Sequence, residues 1–187
     1  MSVFEFLLTL YAIVAGLGVS LLVRSIGQMI EARDRVRLYW VHSGWIVLTF
    51  VGYVVSWFGL WQYADHHPWT VVQALLLLSA PILLYLVSHL AVPELEDDRF
   101  HDMRSYYFQH ARWLQGLLLA VLVAAVLEDL VIAGRLDFGA GRGVRAAMAV
   151  ILIPGLFTNR PAVHEVQTAL LLLIISLTAS FLLQPIG

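Results

Sequence analysis

The chain has 187 residues, 60% of them hydrophobic and only 13% charged, with a net charge of -2. A soluble domain carries about twice that charged share, and the apolar residues come in runs, so the chain reads as a single-domain membrane protein. Cysteine and lysine are both absent, which excludes disulfides, thiolate metal sites, iron–sulfur clusters and a lysine Schiff base; there is no basic tract for nucleic acid.

The first apolar run, 6–23, is expected to be a retained helix. It carries Glu5 instead of a basic residue on its flank, and no small-residue cleavage site follows, so it does not read as a signal peptide. Ala12, Gly16 and Ser20 recur every fourth residue, the spacing that lets two membrane helices approach closely. Self-association into a homo-oligomer is expected on that stripe. Residues 24–37 form a polar connection to a second span, 38–61, which is long enough to cross with some tilt. Aromatic residues stand at both of its ends, as at two membrane interfaces. His42, Trp45, Thr49, Gly52 and Ser56 share one face, which must point at other helices because lipid offers polar atoms no partner.

The third span, 70–92, places Gln73, Pro81, Tyr85 and Ser88 or His89 along one side, and Pro81 is expected to kink it. The polar stretch 93–112 holds five of the thirteen acidic residues. It is predicted to be an amphipathic helix lying in the interface, with Phe100, Met103 and Tyr107 on its apolar face. The fourth span, 113–132, carries Glu128 and Asp129 near its far end. A glycine-rich turn follows over 134–143. Its Gly139-x-Gly141-x-Gly143 lacks the strand and acidic residue of a phosphate loop and reads as a flexible turn. The fifth span, 144–158, is short and broken at Pro154-Gly155, and the sixth covers 166–183. The expected fold is therefore an all-α integral membrane protein: a bundle of six transmembrane helices, or five if the fifth segment fails to cross, with a cytoplasmic interfacial helix between spans three and four.

Arginine counting orients the bundle. The connections 24–37, 93–112 and 159–165 carry eight arginines and the other side three. These three loops are expected to be cytoplasmic and both termini outside, in a bacterial inner membrane. Spans two, four and six each open with an arginine and then a histidine, as Arg37…His42, Arg104…His110 and Arg160…His164. That pattern suggests three related hairpins.

Glu128 and Asp129 read either as intramembrane carboxylates on a solute or proton path, or as partners of Arg145 in an ion pair. His42, His89, His110 and His164 fall near the cytoplasmic ends of spans. Together they could bond other helices, ligate a metal or haem, or titrate as a gate. Asp98, His101 and Asp102 could hold a divalent cation at the membrane face, against the plainer reading of a solvated acidic helix start. Asp65, His66 and His67 read as a solvated loop. No catalytic motif occurs and nothing requires a cofactor. The leading expectation is an ion or proton channel or small-solute transporter, with a polar path through His42, Thr49, Ser56, Tyr85, His89, His110, Glu128, Asp129 and His164. A haem- or metal-binding redox protein and a non-catalytic scaffold or accessory subunit are the alternatives.

Overall fold

The computed structural model describes residues 2–93, 95, 100–132, 134 and 140–182. It is 84% helical. Its six helices are α1 (Val3–Glu31), α2 (Trp40–Gly59, continued by a 3-10 turn at Leu60–Tyr63), α3 (Val71–Ala91), α4 (Met103–Val131), α5 (Ala140–Phe157) and α6 (Pro161–Leu182). All but α5 are long and apolar enough to cross a membrane. The surfaces they turn outward are apolar too, as at Val47, Phe50, Val54 and Phe58 of α2.

Local chemistry sets the helix starts. Ser2 and Glu5 form a capping box on α1, and Thr70 and Gln73 form another on α3, each satisfying two otherwise orphaned N–H groups. Gln73 does more, because its amide also donates to the Val131 carbonyl at the end of α4 at 3.1 Å. Asp102 caps α4 by accepting from the Ser105 N–H and hydroxyl. Here the hydrogen bond from the Ser105 hydroxyl comes first among the causes that hold the carboxyl below its usual range.

Neighbour contacts run α2 to α3, α3 to α4, α4 to α5, α5 to α6 and α6 back to α2, a closed ring, while α1 packs outside it on α3 and α2. Close approaches need glycine at two of these seams. A Cβ at Gly18 of α1 would overlap the Tyr53 hydroxyl of α2, and one at Gly44 of α2 would come within 2.7 Å of the Thr168 methyl of α6. The C-termini of α2 and α4 meet the N-termini of α1, α3 and α5 at one end of the bundle, through Tyr11–Ser56, Gln73–Val131 and Arg142–Asp129. His42, Ala91, Tyr107, Thr158 and His164 mark the other end.

Three expectations need correction. Among the described residues of 93–112 there is no separate interfacial helix, because α4 begins at Met103 and runs unbroken through the fourth span. Met103, Tyr107, Ala111, Leu114 and Leu118 are all buried; spaced four, four, three and four residues apart, they are one continuous helical stripe. Arg104, Ser105, Gln109 and Arg112 face outward, so the amphipathic reading is right for 103–112, but Phe100 lies outside the helix and is exposed. At about 1.5 Å per residue, 29 residues exceed a hydrocarbon core of about 30 Å. A helix of this length has room for a polar opening beyond the span itself. Just before α4, Val36–Arg37 pairs in parallel with His101–Asp102.

The second correction is at the glycine-rich segment, where α5 already starts at Ala140 and takes up Gly141 and Gly143; Gly139 lies outside the described residues. The third is that α5 is not broken at Pro154-Gly155. It continues to Phe157, and the Gln167 amide of α6 donates to the carbonyls of Ile151 and Leu152 in the turn before the proline. Proline removes the donor to the Val150 carbonyl, and Gln167 supplies an added donor to the two carbonyls that follow it. α3 likewise runs without interruption through Pro81.

Candidate functional site

Residues from α2 through α6 line a partly open cavity of about 310 Å³, with Tyr11 of α1 reaching in from outside. Its walls are aliphatic, among them Leu48, Leu84, Leu118, Leu122, Met148 and Ile175. Polar groups gather where α2 and α4 end and α5 begins: Ser56, Gln62, Glu128 and Arg145. The Tyr11 hydroxyl donates to Ser56 Oγ at 2.6 Å, and Ser56 donates on to the Gly52 carbonyl at 2.8 Å. Those two groups satisfy each other.

The adjacent carboxylates of α4 differ. Asp129 is 5% exposed and fully engaged. It accepts from Arg142 at 3.2 Å, from Arg145 at 2.9 Å and from the Tyr63 hydroxyl at 3.2 Å. Glu128 is 9% exposed and lines the cavity, yet its Oε1 has no hydrogen-bond partner among the described residues. The expected ion pair with Arg145 therefore exists, but on Asp129. Arg145 is held further by donation to the Ala125 carbonyl at 3.1 Å. A helix step of 100° between successive residues explains the division, turning Asp129 toward α5 and Glu128 into the ring. A buried acceptor left without a donor costs free energy, unlike the satisfied pairs around it. It is a group with capacity for a ligand.

At the other end the structure brings three predicted histidines together around Tyr106-Tyr107-Phe108. His42 and His110 flank Tyr106 with ring centroids at 5.8 and 4.5 Å, and His164 packs on Tyr107 and Phe108 at 5.5 and 5.1 Å. Their hydrogen bonds give them structural work. His42 Nε2 lies 2.9 Å from the Ala91 carbonyl, and His164 Nε2 lies 2.8 Å from the Thr158 carbonyl. A carbonyl only accepts, so each Nε2 carries the proton. Both histidines thus supply donors to the orphaned carbonyls where α3 and α5 end. Tyr106 adds its hydroxyl to the Leu90 and Val92 carbonyls. With Nε2 protonated, His164 Nδ1 accepts from the Tyr107 hydroxyl at 2.9 Å and the Gln115 amide at 3.0 Å. A Cβ at Gly155 would overlap that amide. Tyr39 closes this end by donating to Glu165 at 3.3 Å with Arg104 over its ring. Burial, then the Glu165 carboxylate, push its phenol up to about 12, so it stays a donor at physiological pH.

Of the nine predicted path residues, only Ser56 and Glu128 line the cavity. Thr49 is buried and bonds back to the Trp45 carbonyl, Tyr85 is half-buried, His89 is exposed, and His110 donates Nδ1–H to the Tyr106 carbonyl one turn earlier. The cavity thus joins Ser56 and Glu128 and leaves the other seven residues outside its lining. Among the described residues there is no group of three His, Cys, Asp or Glu side chains able to hold a metal. Asp98 lies outside the described residues, Asp102 is spent on its cap, and His101 is in the short strand pair. His66 contacts Gln73 at 3.4 Å and stacks edge-on against Trp69. Sequence reasoning missed Tyr11, Tyr63, Gln115 and Gln167. Gln115 was the legible one, an amide just inside the start of an apolar run. No family model matches the chain, and neither a curated protein nor a solved structure matches it.

Proposed function

We propose that the protein is a small-solute transporter of a bacterial inner membrane, with the cavity inside the helix ring as its binding site. The observation that carries this reading is Glu128, a buried carboxyl with an unsatisfied oxygen in a chamber walled mostly by aliphatic side chains. Intramembrane carboxylates are costly and mark solute or proton pathways. A chamber walled by leucine, valine and methionine is poorly suited to a water-filled ion pore and well suited to a partly apolar solute. Its volume stands at the lower end of the roughly 300–1,000 Å³ typical of ligand pockets.

In this reading the end bearing Arg33, Arg35, Arg37, Arg104 and Arg160 faces the cytoplasm, following the arginine asymmetry, and the Glu128 end opens outward with both termini. Copies associate through Ala12, Gly16 and Ser20 of α1. In support, Gly16 has open space around it and α1 turns Tyr11, Gly18 and Leu22 inward instead.

Uptake by proteoliposomes is the test, using labelled compact apolar solutes bearing amine, hydroxyl or carboxylate heads. At least one should enter faster than into protein-free vesicles, and Glu128→Gln should remove that excess. His89→Gln and His110→Gln, which alter residues off the cavity, should leave it intact. Equal uptake with and without protein for every solute sinks the reading.

A further inference from the structure

We infer that the cavity selects solutes with a compact apolar body and one protonated amine, which binds Glu128 Oε1 in exchange for a proton. This rests on the transporter reading and names its substrate class. The polar groups around the site decide the sign of charge. Glu128 is faced by Tyr11 from α1, by Tyr63 after α2, by Asp129 on its own helix, and by Arg142 and Arg145 from α5. Lining groups from α3 and α6 include Ala80, Leu84, Ile175 and Thr178, none of which titrates. Asp129 holds both arginines, and Tyr11 and Tyr63 already donate, to Ser56 and Asp129. An anionic solute would have to take Arg145 from Asp129 while sitting beside Glu128. Like-charge contact in a medium of low dielectric opposes that.

A cation meets no such conflict. Among the described residues two carboxylates and two guanidinium groups cancel, so this group is neutral with Glu128 ionised. It carries one positive charge when Glu128 holds either a proton or an alkylammonium. The two occupants leave the same net charge, so they compete for one oxygen, and an ammonium arriving as the proton leaves conserves charge in the chamber. A neutral hydroxyl can also donate to Glu128, but only the ammonium brings a full opposite charge, whose attraction to the carboxylate is strong in a medium of low dielectric. The aliphatic walls take the apolar body in each case.

Full-length protein in lipid nanodiscs, titrated with adamantylamine, adamantanol and adamantanecarboxylate, tests this. These probes share one cage and differ only in the head group. The amine should bind about tenfold tighter than the alcohol, the carboxylate weakest of the three, and amine affinity should fall as pH is lowered. Glu128→Gln should bring amine and alcohol to equal affinity, while Leu118→Trp, which fills the chamber, should weaken all three. Equal affinity of amine and alcohol for the unmodified protein, or tightest binding of the carboxylate, overturns the inference yet leaves the cavity as a solute site. Failure of all three to bind overturns both. The comparison among probes uses unmodified protein, so it decides the matter even if a variant fails to fold.

Discussion

His164 shows how a residue type that suggests chemistry can be occupied by architecture. Its two nitrogens join the Thr158 carbonyl, the Tyr107 hydroxyl and the Gln115 amide, and the residue is fully buried. Replacing it with Phe keeps a ring but orphans that carbonyl and hydroxyl, at about 1–3 kcal/mol for each buried group. His164→Phe should therefore lower resistance to unfolding markedly, read as the melting temperature in detergent. His89→Gln, at an exposed position, should stay within about 0.5 kcal/mol. A loss at His89 equal to that at His164 would mean that the capping bonds do not matter. The grouping of His42, His110 and His164 was legible from spacing, since each follows an arginine near the start of an apolar span. Its role was not, because partners such as Ala91 for His42, and Tyr107 and Gln115 for His164, lie on helices far away in the chain.

At the scale of the element, α4 is the clearest lesson. Composition marked 93–112 as a polar interruption, and that contrast hid the stripe from Met103 to Leu118 that makes one long helix. Five helices could be read from apolar length. The continuity of α5 through Pro154 could not, because a Pro-Gly pair reads locally as a break, and the Gln167 bonds beside it come from the next helix. Two consequences can be measured on α4. Asp at Met103 puts a carboxylate into a site 1% exposed, whereas Asp at Ser105 meets solvent. Met103→Asp should prevent stable assembly and Ser105→Asp should not, as seen by monodispersity on gel filtration. The second concerns the Asp102 cap. Its carboxyl is held below the ordinary value of 3.8, so the ionised cap stabilises α4 above that pH, and this contribution disappears as pH falls through the lowered value. Asp102→Asn retains a capping side chain but should flatten the fall in melting temperature below about pH 4. An unchanged acid profile in the variant would assign that fall to other carboxylates.

For the whole molecule, the ring of α2 to α6 turns a set of apolar spans into a container with two different ends. One end is closed by histidine and tyrosine caps, and the other holds the paired and unpaired carboxylates. The sequence singled out Glu128 and Asp129 as a unit. Only the packing of α5 separates them, by giving both arginines to Asp129. Orientation is open to direct measurement because the chain has no cysteine. Cysteine at Asp65 should react with an impermeant maleimide in intact cells and cysteine at Asp34 should not; the reverse pattern inverts the bundle.

The difference between the two carboxylates is the central claim. A lipophilic carbodiimide, dicyclohexylcarbodiimide, tests it most directly, since it enters apolar chambers and modifies carboxyl groups there. Peptide mass spectrometry after brief treatment should place the adduct on Glu128 and leave Asp129 unmodified, with Leu118→Trp lowering the yield. An adduct on Asp129 at comparable yield, or labelling confined to exposed carboxylates such as Glu5 and Glu31, would contradict it.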